Sequence, residues 1–218
     1  MYLAIKRLFD IFSSVLALII LSPLLVPVMI ILKLTGEHEV FYFQTRVGYK
    51  NKNFYIWKFA TMVKNSPDIG TGEITLRNDP RVTRVGKFLR MSKINELPQI
   101  INVLKGDMSL VGPRPLVKKS FDLYPQKVQD LVYDSKPGIT GIGSVIFRDE
   151  EKILSESEDL RHAYWQIFQY KGKVESWYHK HRNFLTDMLI LFLTVWYVPF
   201  PKSKLVYRVF PGLPKRDF

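Results

Sequence analysis

Apolar positions are concentrated at the two ends of the chain, with a mixed polar body between them. Leu8 to Leu32 carries a single charge, Asp10. As a straight helix rising ~1.5 Å per residue, those 25 residues could cross a bilayer by length. Three details argue against a simple crossing. Pro23 follows Ser22 in mid-run and is joined by Pro27. Each proline removes an intrahelical hydrogen bond and frees a backbone carbonyl that hydrocarbon tolerates poorly. Cations flank both ends, Lys6 and Arg7 before and Lys33 after, and the positive-inside tendency places both on the cytoplasmic side. These details predict a re-entrant helix–break–helix hairpin, with the Ser22 hydroxyl serving a carbonyl freed by Pro23. A proline-kinked transmembrane helix is the alternative. The second apolar run, Phe184 to Phe200, contains Asp187 and ends near Pro199; Trp196 and Tyr197 favour an interface. It reads as a helix lying on the membrane surface, or as an ordinary core helix.

Between them, Val40–Phe43 and Phe54–Trp57 are aromatic, strand-like runs around the turn-forming residues 47–53, which predicts a hairpin. Residues 64–79 read as loop. Helices are expected over Arg81–Ile94, with Val82, Val85, Phe88 and Leu89 on one face, and over Asn95–Lys105, with Asn95 as N-cap and Gly106 as terminator. Two more are expected over Asp122–Tyr133 and Ser155–Phe168. Gly112-Pro113-Arg114-Pro115 is extended, and Pro137 to Gly143 is a glycine-rich loop. The fold class is α+β, mostly helical, with a small antiparallel element. The chain divides into an anchor (1–36), a body (37–183) and a membrane-surface helix with a basic tail (184–218), forming one integrated domain.

Charge changes the picture. In 218 residues, 32 Lys and Arg face 20 Asp and Glu, a net +12, which implies an anionic partner: nucleic acid, acidic lipid or a phosphorylated small molecule. With no cysteine, disulfides, thiolate metal sites and cysteine nucleophiles are excluded. Arg77, Arg81, Arg84, Lys87, Arg90 and Lys93, spaced about three apart, predict a basic helix face able to grip phosphate. A helix N-terminus at Asn95-Glu96 would add a second anion site. Arg114, between two prolines, has a fixed direction. The four histidines show no metal-ligand spacing.

Lys6-Arg7-Leu8-Phe9-Asp10, Ser22-Pro23, Glu96-Leu97-Pro98-Gln99, the block Asn102 to Pro115 and Lys136 to Gly141 strongly resemble the bacterial sugar transferases, the monotopic phosphoglycosyl transferases that begin glycan assembly. The match runs in order from residue 3 to about residue 148. The resemblance implies transfer of a sugar phosphate from a nucleotide-diphosphate sugar to polyprenol phosphate, with Mg²⁺, at the cytoplasmic face of the bacterial inner membrane. Membrane lipids are partners; a second copy or other glycan-pathway proteins are further candidates, and nucleic acid is not. In the family an Asp-Glu pair before Leu-Pro-Gln supplies a carboxylate nucleophile. Here the pair is Asn95-Glu96, which leaves two readings: an active transferase in which Glu96 is nucleophile or metal ligand, or a pseudoenzyme acting as a partner or regulator in the same pathway. The other residues implied are Lys58, Arg90, Arg114 and Arg148 for phosphate and Asp107 for metal. The family's Lys-Phe-Arg-Thr-Met is Lys58-Phe59-Ala60-Thr61-Met62, so one arginine is missing. Where the family often has Gln-Val-Asn-Gly-Arg, only Val145 and Arg148 match.

Overall fold

The computed structural model of the chain describes residues 1–66, 69, 79–147, 150–201 and 203–216. Helix α1 (Tyr2–Leu34) stays helical through both prolines rather than breaking into two. The sequence supplies the reason: Pro23 has no N–H for the Ile19 carbonyl, and the Ser22 hydroxyl donates to that oxygen at 2.8 Å. Both ends of α1 pack on the same body. At one end Asp10 and Ser14 are buried; at the other Leu25, Val28, Met29 and Leu32 join a core cluster with Phe41, Phe59 and Leu89. The middle stands clear, with Val15, Leu16, Ile19, Ile20 and Leu24 exposed. By length and composition α1 is able to cross a membrane.

Strands β1 (Phe41–Val47) and β2 (Asn53–Phe59) form the expected hairpin, longer than the aromatic runs alone indicate. Alternation divides its faces. Phe41, Phe43, Trp57 and Phe59 pack ring against ring on one side. Tyr42 pairs with Lys58, Gln44 with Ile56 and Arg46 with Phe54 on the other. Helix α2 (Arg84–Met91) starts three residues later than expected. Val82 is drawn into a bridge with Met62, Thr83 caps the helix by accepting from Gly86 N–H at 3.0 Å, and Phe88 faces outward. The chain then reverses at Lys93, which takes a left-handed conformation (φ +60°). Residues Ile94–Glu96 make a single 3₁₀ turn, and α3 (Gln99–Lys105) begins only after Pro98. Asn95 is therefore not a helix cap, and Glu96 does not sit on an α-helix N-terminus. Gly106, at φ +96°, ends α3 as the sequence indicates.

Strand β3 (Ser109–Val111) pairs in parallel with β4 (Gly138–Thr140), a contact that the glycine-rich reading missed. Added Cβ atoms at Gly112 and Gly138 would lie 2.2 and 2.1 Å from backbone atoms of the facing segment. These glycines thus let two backbones touch. Helices α4 (Lys118–Phe121) and α5 (Gln126–Val132) replace the single helix expected over 122–133, because Pro125 interrupts it. After α6 (Ile142–Ile146) come α7 (Glu150–Ser155) and α8 (Leu160–His181). The helix predicted over 155–168 is divided because Asp159 caps α8, accepting from the Arg161 and His162 amides at 3.0 Å. In α9 (Phe184–Trp196) Ile190 and Leu193 lie in the main core while Leu185, Phe192 and Val195 face out, and α10 (Leu205–Val209) closes the chain.

Candidate active site

The hairpin register places Lys58 and Arg46 on one face, and the turn at Lys93 swings Glu96 beneath them. Together with Gln99, Arg114 and Pro115 they line a shallow cleft open to solvent, completed by Ile56, Gly138 and Ile139. A Glu96 carboxylate oxygen (Oε1) lies 3.4 Å from Lys58 Nζ and 3.8 Å from Arg114 Nη2. Burial works to raise the Glu96 pKa, but Lys58, Arg114 and Lys93 outweigh it and hold the group at about 2, so it is ionised. Burial lowers Lys58 to about 8 against the pull of Glu96. Burial, with Arg114 nearby, also lowers Arg46 to about 10. Arg46 donates to the Gln44 side-chain oxygen at 2.5 Å and to the Pro115 carbonyl at 3.2 Å, and its Nε is buried without a partner. Three cations around one carboxylate leave net positive charge for an anion to neutralise.

The structure brings together Lys58, Glu96 and Arg114 of the residues selected from sequence. It does not add the others to the cleft. Asn95 is buried and its Oδ1 has no partner. Arg90, on α2, is electrostatically close to Asp79, and Arg90 is absent from the cleft lining. Arg81, expected on a phosphate-gripping face, is buried instead in an ion pair with Asp79 (2.6 Å) and donates to the Ser66 and Ile69 carbonyls. Asp107 accepts from Asn102 at 3.3 Å and lies 3.8 Å from Lys105, so it and Glu96 have different partners. Asn102 pins α3 to β2, accepting from Trp57 N–H and donating to the Tyr55 carbonyl. Arg77 and Arg148 lie outside the described residues. Sequence reasoning missed Arg46 and Gln99. Tyr42, Gln44 and Arg46 alternate along β1, but only the folded hairpin turns that face to the cleft.

Among the described residues no three carboxylate, histidine or cysteine side chains converge as a metal cage would require. The cleft nevertheless fits a divalent ion that arrives with a phosphate. Magnesium is commonly held by one or two carboxylates plus substrate phosphates, and Glu96 is such a carboxylate. The unsatisfied Asn95 oxygen is its sequence neighbour.

A carboxylate among three cations, on a body clasped by both ends of a long apolar helix, defines an anion-binding chain with the makings of a membrane anchor. The chain belongs to the bacterial sugar transferase family, whose model, described as "Bacterial sugar transferase", matches residues 1–200. The similarity therefore continues well past Arg148. Relatives include an Aeromonas hydrophila UDP-N-acetylgalactosamine-undecaprenyl-phosphate N-acetylgalactosaminephosphotransferase, 36% identical over 196 residues, covering 89% of this chain and 43% of the relative. A Salmonella typhimurium undecaprenyl-phosphate galactose phosphotransferase is 36% identical over 206 residues, covering 87% and 39%. The exopolysaccharide production protein ExoY of Sinorhizobium fredii is 32% identical over 204 residues, covering 87% and 83%. The chain spans less than half the length of the first two relatives and most of the third.

Proposed function

We propose that this chain transfers a sugar phosphate from a nucleotide-diphosphate sugar to polyprenol phosphate, with Glu96 as the nucleophile. The observation that carries the reading is the ionised Glu96 carboxylate in the cleft between Lys58 and Arg114. Asn95, at the position of the family's Asp, is buried and absent from the cleft lining. In the first step a Glu96 oxygen attacks the β-phosphorus. A carboxyl–phosphorus bond forms, the bond to the α-phosphate oxygen breaks, and nucleoside monophosphate leaves. In the second step a polyprenol phosphate oxygen attacks the same phosphorus, giving polyprenol diphosphate sugar and restoring the carboxylate. Splitting one displacement into two is what a covalent nucleophile contributes. A bound diphosphate draws Lys58 and Arg114 from Glu96 onto its own oxygens, which frees the carboxylate and offsets charge on the transferring group. Arg46 adds a third cation, and Arg90 and Arg148 are proposed, on the family resemblance alone, to bind phosphate. Mg²⁺ held by the substrate phosphates with Glu96 would offset phosphate charge; Asp107 would serve it only from outside this cleft.

The body with its anchor and the surface helix α9 is read as one unit at the cytoplasmic face of the inner membrane. The support is α1, whose two ends pack on one body while its apolar middle stands clear. A re-entrant path bent at Ser22-Pro23 puts both ends on one side; a straight crossing separates them. The test incubates purified protein with a panel of nucleotide-diphosphate sugars, polyprenol phosphate and Mg²⁺, and measures release of nucleoside monophosphate. Wild type should be active and Glu96→Gln should lose at least about 100-fold, the scale of a lost covalent route. Glu96→Gln with unchanged turnover would refute the assignment. An inert wild type that gains activity with Asn95→Asp would identify a pseudoenzyme.

A further inference from the structure

Prolines flank Arg114 on both sides, and neither has an N–H to donate. The segment from Pro113 to Leu116 is therefore mounted largely through its carbonyls. The Pro113 carbonyl accepts from Gly138 N–H at 2.9 Å, and the Leu116 carbonyl from Val47 N–H at 2.9 Å. The Pro115 carbonyl accepts from Arg46 at 3.2 Å. The two polar groups that straddle the Pro115 ring share one partner atom. The Tyr133 hydroxyl donates to the Arg114 carbonyl at 2.8 Å and accepts from Leu116 N–H at 3.0 Å.

Tyr133 stands at the end of α5 and is 1% exposed. Its own carbonyl accepts from Lys50 N–H at 2.7 Å, which fastens it to the hairpin turn. Its ring stacks on Phe121, with centroids 5.4 Å apart, inside a buried cluster with Val47, Leu116 and Val132. A phenylalanine would supply that packing equally well. The hydroxyl is what needs a reason, because burying one costs free energy unless it is paired. Both of the groups it pairs with belong to the Arg114 segment. Burial pushes its pKa above the ordinary 10, so the hydroxyl keeps the proton that it donates.

We propose that Tyr133 is a positioning residue for Arg114. Its hydroxyl fixes the peptide groups on both sides of Pro115, and so sets where the Arg114 guanidinium stands, 3.8 Å from Glu96 Oε1. The inference rests on the phosphate-binding role of Arg114 given above. Without the hydroxyl, two buried main-chain groups lose their partner, and the segment shifts to find others. An error of about 1 Å in the placement of a catalytic group lowers rates about 100-fold.

The test uses full-length protein in lipid nanodiscs and the nucleoside monophosphate release assay, with activity expressed per folded protein. Tyr133→Phe removes the hydroxyl and keeps the ring, and should lower kcat/KM for the nucleotide-diphosphate sugar ~10- to 100-fold. Val132→Ala loosens the same cluster without touching the hydroxyl and should stay within about twofold of wild type. The decisive measurement is made in the Arg114→Ala background, where Tyr133→Phe should cost less than about twofold further, since it acts through Arg114. Full activity of Tyr133→Phe, an equal loss in Val132→Ala, or losses that multiply with Arg114→Ala would overturn the proposal and leave the site reading standing. If Tyr133→Phe does not fold, 4-aminophenylalanine at position 133 takes its place under the same criteria; it keeps a donor for the Arg114 carbonyl but is a poor acceptor for Leu116 N–H. Full activity of Arg114→Ala, or an inert wild type, would overturn the site reading, and this proposal with it.

Discussion

Lys6 and Asp187 join the anchor to the body, and their separation can be worked through quantitatively. Lys6 Nζ lies 2.5 Å from Asp187 Oδ2, with side chains 12% and 2% exposed, and it also donates to the Val111 carbonyl at 2.8 Å. Asp187 accepts two further hydrogen bonds, from Tyr2 at 2.8 Å and Tyr178 at 2.7 Å. Lys6→Met leaves the carboxylate buried without its cation. Stranding a buried charge costs ~3–5 kcal/mol. Here the two tyrosine hydroxyls remain, which brings that cost to roughly 2 kcal/mol, and the lost bond to Val111 adds about 1 kcal/mol. A total of about 3 kcal/mol in a chain of this size lowers Tm by roughly 6–12 °C. Unfolding of the nanodisc-embedded protein, followed by near-UV circular dichroism, measures it. Asp187→Asn and the double variant complete a cycle whose coupling should be about 2 kcal/mol. Additive single effects, within about 0.5 kcal/mol, would refute the view that these two side chains act as a pair.

Two more outcomes follow from buried polar groups in the body. Tyr133→Phe strands the Leu116 N–H and the Arg114 carbonyl together and should cost about 2–4 kcal/mol, with faster amide hydrogen exchange at Leu116. Asp79 is held below its ordinary 3.8, first by its hydrogen bonds from Arg81, so its contribution to stability is present above that value and is lost as pH falls through the lower folded value. Asp79→Asn should therefore flatten the acid limb of the stability curve and cost about 1.5–3 kcal/mol at neutral pH, because it replaces the charged acceptor that Arg81 holds at 2.6 Å.

Much of the family character was readable in order along the chain, because motifs such as Asn102 to Pro115 are contiguous. The anchor was equally plain: a long apolar run with one acid is a local property. The Ser22 repair of the Pro23 gap was predictable because both groups lie within one helical turn. Element boundaries were less legible. Arg81 and Val82 fit a helical repeat, yet partners at Asp79 and Met62, which no periodicity announces, hold them outside α2. Arg46 went unnoticed because a charged residue on a strand gains meaning only when the hairpin register puts it on the face that carries Lys58 and the fold brings the Arg114 segment to it.

Asp10 and Asp187 mark the boundary most clearly. In sequence each is an acid interrupting an apolar run and has no explanation. In the folded chain Asp10 accepts the Leu110 N–H at 3.0 Å and Asp187 receives Lys6 across 181 positions. The sequence by itself determined hydrophobic period, the helix stop at Gly106, net charge and motif order, because these depend on neighbours along the chain. The tertiary structure decided which carboxylate meets which cation, why Glu96 and not Asn95 lines the cleft, and what mounts Arg114. Those are distances between segments far apart in the chain, and the energy of a charge depends on the groups that surround it in space.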